Sequence, residues 1–113
     1  MRAIAKAALA LPFAALLFSS GADARGPSFS CRANLNLPER IICYDPELSR
    51  LDRRLNELYR GAGGSQDASP EVRAYIKDAL LRRNHCATSR CIRRILVDEI
   101  DYLERHQDDD GGY

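Results

Sequence analysis

Four cysteines, two histidines and a few charged residues on apolar helix faces are the side chains through which this 113-residue chain could do chemistry. The cysteines are Cys31, Cys43, Cys86 and Cys91. No two form a Cys-x-x-Cys pair, the usual spacing of a dithiol redox centre. His85, Cys86 and Cys91 do not have the spacing of a zinc site, and oxidised cysteines bind no metal. His106 stands alone near the end of the chain. No serine or cysteine is arranged with an evident base and orienting acid. A glycosidase-like pair of carboxylates needs a cleft, and a short helical chain offers little concavity. These observations argue against an enzyme and call for no metal or other cofactor.

An even number of cysteines in a short exported chain reads as a disulfide framework. Two bonds are expected, and the sequence leaves the three possible pairings open. The helix order described below brings Cys43, Cys86 and Cys91 to one pole, with the arm bearing Cys31 leading into it. At least one bond is therefore expected to join the Cys31–Cys43 segment to the Cys86–Cys91 segment.

Asp52 and Arg83 are the conspicuous charges. Asp52 shares a helical stripe with Leu48, Leu51 and Leu55, and Arg83 shares one with Val72, Ile76, Ala79 and Leu80. A carboxylate and a guanidinium on buried faces must pair or bear a large desolvation cost. The expectation is a structural ion pair between them rather than a catalytic couple.

The elements that would position these groups follow from caps and periodicity. Arg2 and Lys6, the apolar run Ala7–Phe18 and the small residues Ala22 and Ala24 have the order of a signal peptide cleaved after Ala24. The apolar run is too short for a membrane anchor, which needs roughly 20 residues. Removing 24 of the 113 residues would leave 89, Arg25–Tyr113. Asn36-Leu37-Pro38-Glu39 has the form of a capping box at the start of a short helix. Asp45-Pro46-Glu47 and Ser69-Pro70-Glu71 are stronger helix starts, each with a capping side chain before a first-turn proline. The first leads into Leu48, Leu51, Leu55, Leu58 and Tyr59, with Arg53 and Glu57 on the outer side, and ends at Gly61, Gly63 and Gly64. The second runs to about Asn84 after a flexible connector, 61–69. Thr88 or Ser89 can cap a third helix carrying Ile92, Ile95, Leu96, Ile100 and Leu103 inward. The expected fold is all-α: three antiparallel helices and a short N-terminal helix, stapled by two disulfides. The expected domain is 25–106, with 107–113 a disordered acidic tail.

The chain has 17 basic and 16 acidic residues, and removal of Arg2, Lys6 and Asp23 would leave 15 of each. Such balance argues against nucleic acid as the main partner. The charges are segregated: Arg82, Arg83, Arg90, Arg93 and Arg94 lie near the cysteine-rich pole. Asp98, Glu99, Asp101, Glu104 and Asp108–Asp110 lie along the other end of the last helix. Such runs usually form solvated faces with pairs such as Arg94 to Asp98, although the segregation could also steer a charged partner.

The order of residues also resembles a known family. Pro27-Ser28-Phe29-Ser30-Cys31, Glu39-Arg40-Ile41-Ile42-Cys43, Asp45-Pro46-Glu47-Leu48, Leu51-Asp52, Leu55, Tyr59, Arg83-Asn84-His85-Cys86 and Cys91-Ile92 are similar to the LprI-type lysozyme inhibitors, small exported bacterial proteins. Asp45, Pro46, Leu48, Leu51, Asp52, Tyr59 and Asn84 fall on its motif. Relatives carry Gln and Trp where this chain has Ile76 and Ala79. The resemblance implies a periplasmic or secreted protein that binds a lysozyme rather than catalysing a reaction. The alternative is a structural or adaptor protein of the cell envelope, docked to another envelope protein and inhibiting nothing.

Overall fold

The computed structural model describes residues 26–111, with side chains described as far as residue 107. The expected signal peptide and its cleavage site lie outside the described residues. Five helices and no strand are present among those described: α1 Leu37–Tyr44, α2 Pro46–Gly61, α3 Gly64–Asp67, α4 Pro70–Arg83 and α5 Ser89–Gly111. None is long and apolar enough to cross a membrane.

Local chemistry sets the helix starts. Asn36 accepts from the Glu39 amide while the Glu39 side chain accepts from the Asn36 amide, completing the capping box of α1. Asp45 accepts from the Glu47 and Leu48 amides and starts α2 with Pro46 in its first turn. Ser69 accepts from the Val72 amide at the start of α4. Of the two candidate caps for α5, Thr88 does this work, its hydroxyl accepting from the Cys91 amide at 3.1 Å.

Two predicted features differ. The connector 61–69 contains the one-turn helix α3, and Ala68 is buried between Leu58, Val72 and Leu103. Gly63 makes this compact reversal possible. It has φ 114°, and a Cβ there would lie 2.5 Å from the Ala68 nitrogen. Residues 107–111, expected to be tail, continue α5 to Gly111. Extending a formed helix costs little per residue, and no helix-breaking residue precedes Gly111.

The core divides into two clusters. Ile42, Leu48, Ala79, Cys86, Ile92, Ile95 and Leu96 fill the cysteine-bearing end. Leu58, Ala68, Val72 and Leu103 fill the other. Helix α5 is the hub, against which α1, α2 and α4 all pack, whereas α2 and α4 pack chiefly on α5 and scarcely on one another. The resulting gap between α2 and α4 holds the polar groups described next.

The disulfides are local. Cys31 bonds Cys43 and Cys86 bonds Cys91, with Cα separations of 6.0 and 5.6 Å. The expected bond between the two segments is not formed. Each pair instead closes its own reversal: the arm folding back on α1, and the turn from α4 to α5. Polar contacts beside the two segments hold that end together instead. Arg93 bonds Glu47 at 3.0 Å, and Asn36 donates to Asn84 at 3.2 Å.

Candidate functional site

Asp52 on α2, Arg83 on α4 and Glu99 on α5 line the gap between α2 and α4. They are 5, 7 and 3 % exposed. With Ser28, Leu55, Asn56, Tyr59, Ile76 and Leu80 they line a cavity of about 200 Å³.

Asp52 and Arg83 share this cavity but do not form the expected ion pair. The N-terminal arm folds over α2, and both the amide and the hydroxyl of Ser28 donate to Asp52 Oδ2 at 2.6 Å. Arg53 fastens the same arm by donating to the Gly26 carbonyl at 2.6 Å. Arg83 turns toward α1. Its Nη2 lies 3.5 Å from Glu39 and donates to Asn84 Oδ1 at 3.2 Å. Asn84 Oδ1 also accepts from Asn36, so one network joins the cap of α1 to the end of α4. The expectation failed because it assumed that α2 and α4 pack directly. With both helices packed chiefly on α5, each charge finds a nearer partner.

That arrangement leaves one buried polar atom unserved. Arg83 Nε is buried with no acceptor. Among the described residues, nothing donates a hydrogen bond to the Glu99 carboxyl, and no cation lies within ion-pair distance of it. Burial raises its pKa from 4.5 to about 8, with Asp52 adding to the shift and Arg83 and Arg82 opposing it. Near neutrality Glu99 is therefore mostly a protonated acid, beside an Asp52 whose charge is satisfied by the arm. Tyr75 on α4 is also pushed upward, by its own burial and by Glu99.

Sequence reasoning placed Glu99 on the solvated acidic face. Its inward position was nevertheless encoded: it falls three residues after Leu96 and four before Leu103, both fully buried on α5.

The remaining motif residues act in the scaffold. Asp45 and Pro46 start α2, Leu48 is in the core and Leu51 packs against it, while Tyr59 lines the cavity. His85 lies 2.9 Å from the Leu81 carbonyl. His106 packs on Tyr102, which stacks on Tyr75 at 3.7 Å between ring centres.

No protein-family model, curated protein or solved structure matches the chain.

A second feature lies on the surface. At the cystine-bearing pole Tyr44 is 86 % exposed, and Leu37 is also exposed. Two shallow depressions, of about 380 and 610 Å³, share Arg40 and Tyr44 in their walls, and the second reaches Ser89 at the start of α5. Arg32, Arg90 and Arg94 are exposed nearby in sequence, and none makes an ion pair among the described residues. Arg93 is tied to Glu47, while Arg40 donates to the Leu35 carbonyl at 2.9 Å. The pole thus presents an exposed tyrosine, apolar edges and arginines on a backbone held by two cystines.

Proposed function

We propose that the protein is exported and acts by binding a lysozyme, using the cystine-bearing pole to cover the enzyme's cleft. The observation that carries this reading is the exposed tyrosine with unpaired arginines on a covalently braced edge. Tyrosine and arginine are over-represented among residues that dominate binding energy, and a braced loop loses little freedom on association. A glycan-cleaving cleft contains two carboxylates, to which arginine offers a planar, bidentate donor set. The likeness of the Cys43–Asp52 motif to LprI-type inhibitors supports the choice of enzyme class. The two cystines fit an oxidising compartment.

Two elements could enter a cleft, the arginine-bearing pole and the 61–69 connector, and the pole is the better suited. The connector between α2 and α4 is occupied by α3 and pinned by Ala68, leaving little chain to extend. Lysozymes of the basic class would be repelled by the arginine edge at long range. The acidic part of α5, including Asp98, Asp101 and Glu104, gives the opposing attraction that orients the encounter.

The test is equilibrium binding of the oxidised protein to a basic lysozyme, with Tyr44→Ala and the double variant R90S/R94S beside wild type. The expected result is saturable binding that weakens at least tenfold in both variants. Unchanged binding in both would remove the pole from the interface. Absence of binding at low salt would favour the envelope-adaptor role.

A further inference from the structure

The cavity between α2 and α4 is lined by a side chain that the fold leaves only partly satisfied. The Arg83 guanidinium divides its donors unequally: Nη2 reaches Glu39 and Asn84, whereas Nε is buried and meets no acceptor. A buried donor left unpaired bears its full desolvation cost, and folds normally supply a partner. The contact with Glu39, at 3.5 Å, is long for a charged hydrogen bond, which usually closes to about 2.7–2.9 Å. Arg83 is therefore held loosely on the α1 side, with freedom to tilt toward the space it lines. Glu99, 3 % exposed, lines the same space, and no described residue donates to its carboxyl.

Charge and shape narrow what would fit. The wall already carries the Arg83 guanidinium, which repels a second cation. It also carries Asp52, whose Oδ2 already takes the Ser28 amide and hydroxyl, and that carboxylate opposes an anion. A neutral ligand remains, with an acceptor for Arg83 and a donor for Glu99. A carboxyl keeps an acceptor oxygen whether or not it is protonated, so Glu99 takes that donor in either state. Leu55, Ile76 and Leu80 add apolar wall, and Leu80, 43 % exposed, stands where the cavity meets the surface. At about 200 Å³ the cavity lies below the roughly 300 Å³ at which drug-sized pockets begin, so the ligand is small.

We propose that this cavity binds a small neutral amide, its carbonyl oxygen accepting from Arg83 Nε and its N–H donating to Glu99. The alkyl part of the ligand lies against Leu55, Ile76 and Leu80. As the ligand enters, the guanidinium tilts from Glu39 toward the carbonyl, so the buried nitrogen gains its acceptor. An amide carries both polar functions on one planar group without net charge, and its alkyl part covers an apolar wall that water would leave wet. The site uses none of the exposed tyrosine and arginine surface at the pole and does not rest on lysozyme binding.

The test is a titration of the full oxidised protein followed by proton–nitrogen NMR, with N-propylacetamide as probe and butyrate and n-butylammonium as charged controls. The Arg83 Nε–H resonance reports the named donor directly. It is expected to move saturably with the amide, together with the backbone amides of Ser28, Arg83 and Glu99. Both controls should bind at least tenfold more weakly. Arg83→Met removes the donor and should weaken the amide by about tenfold or more, the worth of a hydrogen bond to a charged group. Because Arg83 also contacts Glu39 on α1, Leu80→Phe is the second variant. It narrows the mouth, leaves the polar network in place and should abolish the saturable shifts in a protein whose spectrum remains folded. N-acetylglucosamine separates sources of the same group: equal or tighter binding than N-propylacetamide assigns the site to an acetamido sugar, and weaker binding to an amide on an alkyl chain. An Arg83 Nε–H resonance unmoved at high amide concentration would overturn the proposal, with water alone serving the donor. Equal binding of the amide and both charged controls would overturn it too, as would unchanged binding by folded Leu80→Phe.

Discussion

Replacing Glu99 by glutamine should make the protein more stable at alkaline pH, although the residue is buried and beside charged neighbours. The folded state holds the Glu99 proton to about pH 8, whereas the unfolded chain releases it near 4.5. Between those values the folded protein binds more protons than the unfolded chain, so stability falls as pH rises. The contribution is fully present below about pH 4.5, is lost progressively up to about 8 and is level above that. Each unit is worth about 1.4 kcal/mol, so the loss across the window is on the order of 3–5 kcal/mol. That is a large share of the ~5–15 kcal/mol typical of a domain. Glutamine keeps the shape and never ionises. Urea unfolding of oxidised wild type and Glu99→Gln, at pH steps from 4.5 to 9, measures the effect. The two should be similar at pH 4.5, and their difference should grow by several kcal/mol before levelling near pH 8. Other titrating groups are common to both proteins and cancel. A difference that stays constant across this range would mean that Glu99 ionises normally, and the desolvation argument would fail.

Further outcomes follow from particular contacts. Asp52→Ala should cost about 1.5–3 kcal/mol in urea unfolding, the worth of hydrogen bonds to a charged group. A cost under about 0.5 kcal/mol would mean that Ser28 does not hold it. Peptide mapping without reduction should find Cys31 with Cys43 and Cys86 with Cys91, and a peptide joining Cys43 to Cys86 would contradict the fold at that pole. In the chain-entropy account these short loops stabilise by about 2–3 kcal/mol each, measurable as the loss on replacing each pair by serine. Gly63→Ala should destabilise by more than about 1 kcal/mol, because its φ of 114° and the nearby Ala68 backbone both oppose a side chain. An unchanged melting temperature would show that the reversal into α3 is not held as described.

The helix starts were legible because they depend on neighbours in sequence. Asn36 with Glu39, Asp45 with Pro46, and Ser69 with Pro70 each act within one turn. The inward residues of α2 and α5 followed from the 3.6-residue period. The partners of Asp52 and Arg83 were not legible, since they depend on how α2 and α4 are placed by α5 and on an arm without periodic signal. Ser28 gives no sign in the sequence that its amide and hydroxyl will meet a carboxylate 24 residues away. The disulfide pairing was hidden for a related reason. Bringing four cysteines to one pole does not choose between them, and the backbone reversals at 31–43 and 86–91 made the local pairs nearest. Glu99 was the readable residue that charge obscured: its register matched Leu96 and Leu103, but its acidic neighbours suggested a solvated face.

The most direct measurement of the proposed activity is a dose–response of the purified, oxidised protein against lysozyme-driven clearing of bacterial cell walls. The enzymes should include basic lysozymes, and the assay should be repeated at low and physiological salt. Inhibition should saturate with increasing protein and weaken with added salt, as oriented charge at the encounter requires. It should also fall at least tenfold in potency for R90S/R94S. Undiminished clearing by every enzyme at large molar excess and low salt would contradict lysozyme inhibition.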